Sequence, residues 1–226
     1  MNTRLAHGLA VGLSALAGFV DAMGYLALGG VFVSFMSGNS TVLGAAGAAE
    51  LGNRAWLAVG LVVAFTLGVM VGTFAGRPFG PRRAPIILLL VAALLAVAAL
   101  LHAAGFTVGS GIVVALAMGT ENTTFQKDGQ AGMGLTYMTG TLVRLGQRAA
   151  EACLGRPWAA LVPDVLLWGG MVVGAYFGAL VFGRIGLDGL WVAVALVLAM
   201  AAVAQQALRQ AAQRQAITSP KPSAVR

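Results

Sequence analysis

Six stretches of the chain are almost unbroken runs of apolar residues, at 8–28, 56–76, 84–104, 108–125, 159–182 and 187–208. At about 1.5 Å of rise per residue, runs of this length cross or nearly cross the roughly 30 Å hydrocarbon core of a bilayer as helices. Two further apolar stretches, 31–49 and 129–145, are interrupted by glycine; Gly29 and Gly30 just before the first, with Gly38, Gly44 and Gly47 inside it, disfavour one continuous helix. The pattern predicts an all-α polytopic helical membrane protein with two bent or re-entrant half-helices. The first run, after Arg4 and with Ala15-Leu16-Ala17 inside it, also has the form of a cleaved signal. Its counterpart in mid-chain favours a retained helix.

That counterpart belongs to a longer repetition. Phe35-Met36-Ser37-Gly38-Asn39-Ser40-Thr41 returns 102 positions later as Tyr137-Met138-Thr139-Gly140-Thr141-Leu142. Gly18 and Asp21 find partners in Gly119 and Asn122, and Gly68, Gly72 and Gly76 find them in Gly170, Gly174 and Gly178. The chain reads as a duplicated unit, with a first repeat at 1–107 and a second at 108–208. A basic cytoplasmic tail at 209–226, containing Pro220 and Pro222, is expected to be disordered. Glycine at every fourth position lays a smooth stripe along one helix face. It serves helix packing, either within the fold or against a second copy in a homodimer.

Composition agrees with this class. Hydrophobic residues make up 59% and charged residues 9%, with mean hydropathy +0.88, which excludes an ordinary soluble domain and makes the lipid bilayer the first partner. The net charge of +7 comes from arginines scattered between apolar runs, so nucleic acid is not an expected partner. A single cysteine, Cys153, excludes an internal disulfide framework and is expected to be a small buried apolar residue. His7 and His102 stand apart from other ligand types, and neither a metal nor a cofactor is expected.

Charge also sets topology. If the bent stretches re-enter, six spans leave only Arg54 and Arg184 of the 14 basic residues on the side opposite the N-terminus; if both cross, five lie there. The positive-inside rule prefers six, with both termini cytoplasmic. Three spans per unit then makes the units inverted repeats of three transmembrane helices.

In that arrangement the bent stretches enter from opposite faces and meet near the midplane, where irregular backbone is tolerated only in protein or beside water. Ser37, Asn39 and Ser40 in one copy, and Thr139 and Thr141 in the other, are expected to cap half-helices beginning at Gly38 and Gly140. Free N–H groups there favour an anion or a carbonyl. Asp21 and Glu121, the latter beside Asn122, are the carboxyls this reading places inside spans, suited to proton or cation coupling. The structural alternatives are a hydrogen bond from a backbone break to Asp21, and pairing of Glu121 with Lys127 or Arg144. The candidate substrate-binding set is therefore Asp21, Ser37, Gly38, Asn39, Ser40, Glu121, Asn122, Thr139, Gly140 and Thr141. No Ser-His pairing and no His-Glu-x-x-His is present, so an enzyme is not expected, although an aspartyl pair of Asp21 and Glu121 stays open.

Gly18-Phe19-Val20-Asp21-Ala22, Phe35-Met36-Ser37-Gly38-Asn39 and Met138-Thr139-Gly140 resemble the YoaK-like family of bacterial multi-pass inner-membrane proteins. The resemblance covers nearly the whole chain, although members more often carry Thr where Ser37 stands. It implies a bacterial inner-membrane location and an unknown function, and supplies no functional residue. Two functions are carried forward. One is a permease or channel for a small, anionic or carbonyl-bearing solute, proton-coupled. The other is a structural or regulatory membrane protein that binds a partner chain.

Overall fold

The computed structural model describes residues 3–125 and 137–218. The helices are α1 (Thr3–Ala27), α2 (Met36–Ala48), α3 (Gly52–Gly76), α4 (Arg83–Ala103), α5 (Thr107–Glu121), α6 (Met138–Cys153), α7 (Val162–Ile185) and α8 (Leu190–Thr218), with short 3-10 turns between α3 and α4 and on either side of α7. The chain is an all-α polytopic membrane protein. Four stretches are long and apolar enough to cross a bilayer: Leu5–Ala27, Gly52–Gly80, Arg83–Ala103, and Trp158–Gln213, which holds α7 and most of α8.

Three boundaries differ from the sequence pattern. The run 108–125 is helical only to Glu121, because the amides of Thr123 and Thr124 turn back to carbonyls three residues earlier and the threonine hydroxyls donate to the same carbonyls. With 15 residues, α5 rises about 22 Å and ends inside the thickness its neighbours span. The second bent stretch does not stop near 145; α6 runs to Cys153, and that cysteine is exposed. α8 continues to Thr218, past the 208 boundary, because 205–217 is rich in alanine, glutamine and arginine, good helix formers. Of the expected disordered tail, 209–218 is helix and 219–226 lies outside the described residues.

The path of the first half follows from two glycines. Gly29 and Gly30 have φ of 72° and 91°, conformations that other residues rarely adopt, and they reverse the chain after α1. The next residues descend beside α1, so that Val33 packs against Gly24 and Ser34 bonds to Asp21. α2 starts from that depth. Its 13 residues rise about 20 Å and lead to Arg54 at the start of α3, whose guanidinium donates to the Gly30 carbonyl at 3.4 Å. Both ends of this loop and half-helix therefore sit on the side where α1 ends.

Packing exchanges helices between the halves. α1 lies along α7 and α3 along α5, each pair running in the same direction. Glycine lets the backbones touch. A Cβ at Gly18 would strike the Met171 carbonyl, and one at Gly174 or Gly178 the carbonyls of Ala15 or Phe19. In the other pair, Gly68 faces the Leu116 carbonyl, Gly119 the Phe65 carbonyl, and Gly72 Thr120 and Thr123. These contacts correct the register read from sequence. Gly68 plays the part of Gly174 and Gly72 that of Gly178, an offset of 106 positions and not 102. A stripe with a period of four matches itself when slid by one helical turn, so spacing alone could not choose. Gly76 faces the Arg83 side chain and Gly170 the backbone of Val11. α4 sits between α5 and α8 and buries Ile87, Leu88, Val91 and Leu95 completely.

Candidate functional site

Asp21 lies on α1 and is fully buried, with its carboxylate occupied. Oδ1 accepts from the Val33 and Ser34 amides at 2.8 and 2.7 Å, and Oδ2 accepts from the Ser34 hydroxyl at 2.7 Å. A chain that has left its helix inside a low-dielectric region carries unpaired amides, and a carboxylate is the strongest acceptor that can satisfy them. Asn39 completes the clamp. Its Oδ1 accepts from the Phe32 amide at 2.8 Å and its Nδ2 donates to the Phe32 carbonyl at 2.6 Å, as a neighbouring strand would. Ser34 was missed by the sequence reading, although a lone hydroxyl just before the motif was its signal.

The glycines of the repeated motif serve packing. Phe35 and Tyr137 occupy the N-cap positions of α2 and α6, without side-chain capping bonds, and their rings fold back over the first turn. A Cβ at Gly38 would overlap the Phe35 ring and one at Gly140 the Tyr137 ring. The half-helices thus begin two residues earlier than expected, and Ser37, Asn39, Ser40, Thr139 and Thr141 do not cap them. Ser37 and Thr139 are exposed. Ser40 and Thr41, also on or beside the exposed face of α2, donate to the carbonyls of Met36 and Ser37 at 2.9 and 3.2 Å.

In the second copy, Thr141 is buried and accepts from Arg144 at 2.9 Å. Arg144 does not meet Glu121; it pairs at 3.1 Å with Asp164 in the first turn of α7, where Arg148 pairs at 2.6 Å. Asp164 is only 3% exposed and is another carboxyl within the apolar runs, one the sequence reading passed over. Its signal was the pair of arginines four residues apart on α6. Lys127 lies outside the described residues.

Glu121 ends α5 at 0% exposure, and neither oxygen has a hydrogen-bond partner among the described residues. It interacts electrostatically with Asp21. Asn122 donates to the Met118 carbonyl at 2.9 Å. Arg83, at the start of α4, donates to the Thr123 carbonyl at 2.9 Å and covers the frayed end of α5 with positive charge. α5 descends against α1, with Gly111 beside Leu28, which brings Glu121 opposite the middle of α1.

The ten candidate residues therefore form no single cluster. Asp21 and Asn39 hold one loop, and Glu121 lies within electrostatic reach of Asp21. The two half-helix starts do not meet: α2 packs on α3 and α6 on α7, with no Cα of α2 within 8 Å of one in α6. The re-entry depths are nonetheless similar. Met138 contacts the Ser14 hydroxyl through its sulfur at 4.0 Å, while Ser34 reaches Asp21 seven residues further along the same helix, about 10 Å. Between α1, α5 and the start of α8 lies a cavity of about 10 Å³, lined by Val20, Gly24, Ser110 and Val114. That is room for about one water.

A UPF0700 transmembrane protein of Rhizobium meliloti is similar to the chain, 34% identical over 213 residues, covering 92% of this chain and 90% of the relative. The UPF0700 transmembrane protein YoaK of Bacillus subtilis is 32% identical over 140 residues, covering 59% of this chain and 62% of that protein. No solved structure matches. The family model described as "Protein of unknown function (DUF1275)" matches residues 9–203, and with most of its length and both half-helices inside that match, the chain belongs to this family of membrane proteins.

Proposed function

We propose that the protein is a small permease of the bacterial inner membrane, with both termini in the cytoplasm and its solute path running past the end of α5. One observation carries the reading: Glu121 is buried opposite the middle of α1, and among the described residues neither of its oxygens has a hydrogen-bond partner. A carboxyl kept at membrane depth without a structural partner is costly and marks a functional position. The exchange of helices between halves, α1 with α7 and α3 with α5, supports two inverted units of three spans, the plan on which many secondary transporters rock. The cavity between α1, α5 and α8, about 10 Å³, is far below the several hundred that hold a ligand, so a solute path past the end of α5 requires these helices to separate. The solute is small and bears a carbonyl or another acceptor for the Glu121 hydroxyl.

The test is a thermal-shift screen of anions, metabolites and small amines against detergent-purified protein, followed by counterflow of any stabiliser in proteoliposomes. A stabilising solute that is also exchanged supports the permease. One observation favours a second reading: Asp21, Ser34 and Asn39 are consumed in holding their own loop, as in a scaffold. Co-purification of a stable partner chain, with no stabilising solute, would establish that structural or regulatory role instead.

A further inference from the structure

We propose that Glu121 is a proton-binding site, the carboxyl that takes up and releases the coupling proton, and that Asp21 is not. The coupling part rests on the permease reading; the proton site does not. The two carboxyls are chemically alike, both buried and within electrostatic reach, yet their surroundings differ. Three donors converge on Asp21, two of them backbone amides whose positions are set by the loop. Donors directed at both oxygens favour the carboxylate form of Asp21 over the acid. Among the described residues, none donates to Glu121. A bare carboxylate in such a site is not tolerated, and the neutral acid is.

The charged groups around Glu121 point the same way. From α1 the facing group is Asp21, a like charge. From α4 it is Arg83, whose guanidinium is bound to the Thr123 and Gly72 carbonyls. α3 carries a single charged residue, Arg54, at its opposite end beside Gly30. Among the described residues, then, no cation is paired with the Glu121 oxygens. The chemistry is a plain transfer: the Glu121 O–H bond breaks when the end of α5 meets water, the proton leaves as hydronium, and the carboxylate later takes a proton from another hydronium ion, releasing water, before the site closes. A neutral acid at closure lets the helices re-pack, and a charged one holds them apart, which ties the proton to the conformational cycle.

The experiment treats the full-length protein in membrane vesicles with dicyclohexylcarbodiimide, which adds to protonated carboxyls in apolar surroundings, and maps adducts by mass spectrometry across a pH series equilibrated with an ionophore. The expected result is an adduct at Glu121 and none at Asp21, with a yield that falls about tenfold per pH unit above the group's midpoint. Glu121→Gln should abolish the adduct while keeping the melting temperature, since the amide is an isostere of the neutral acid. An unmodified Glu121, equal labelling of Asp21, a yield independent of pH, or protection by sodium at constant pH would each overturn the proposal. Because no solute is involved, labelling as expected with an empty solute screen keeps the proton site and discards the permease.

Discussion

At the scale of single residues, the polar groups divide by whether a neighbour uses them. Asp21 has three donors, so its removal leaves the Val33 and Ser34 amides without an acceptor. Asp21→Ala should lose about 1–3 kcal/mol for each amide left unpaired, whereas Asp21→Asn keeps one oxygen for both and should lose much less. Chemical denaturation in detergent reads the difference. An Asn variant as damaged as the Ala variant would mean that the charge, and not the acceptor, is what the position needs. Glycine follows the same logic. A Cβ at Gly174 meets the Ala15 carbonyl, while one at Gly169 or Gly183 meets nothing within 4 Å. Gly174→Ala should therefore lower stability by about 1–3 kcal/mol through forced separation of α1 and α7, as over-packing does elsewhere. Gly169→Ala and Gly183→Ala on the same helix should be neutral or slightly stabilising in the same melting assay.

At the scale of elements, the half-helix α2 and the loop before it return to the side they left, which fixes the ends of every later helix. Residues near 50, 105 and 187 then share one face of the membrane and residues near 80 and 155 the other. In a Cys153→Ser background, single cysteines at Glu50, Gly105 and Leu187 should react with an impermeant maleimide from outside the cell, and those at Gly80 and Gly155 only after lysis. Reaction of residue 50 from the cytoplasmic side would mean that α2 crosses. The spans themselves were legible because twenty apolar residues have few other uses. The glycine-aromatic motif was legible as a repeat but was misread as a break: the residue that ends regular structure is Gly29 with Gly30, while Gly38 sits inside a helix under the Phe35 ring. Hydrogen bonds such as Asn39 to Phe32 or Arg144 to Asp164 join residues whose pairing depends on the path of the chain, which residue type and spacing do not specify.

At the scale of the whole molecule, the two halves are interlocked and not merely adjacent. α1 buries its close-approach face on α7, and α3 buries Gly68 and Gly72 on α5, so each half alone would present two helix faces shaped for backbone contact to lipid. Lipid offers no hydrophobic gain for covering them, and what holds the pairs together is close van der Waals contact, which is lost when the surfaces part. A chain divided after Gly105, at the turn between α4 and α5, should give fragments that are degraded or aggregated when expressed singly. Co-expressed, they should reassemble into one complex that survives affinity purification through a tag on either piece. The same division in a Gly68→Leu and Gly174→Leu background should not reassemble, because a leucine on each stripe blocks both crossings. If the first fragment alone purifies as a monodisperse species with a cooperative melt, the crossed pairs are not what holds the fold. The weight would then fall on α4, which lies against both α5 and α8 and so also joins the halves.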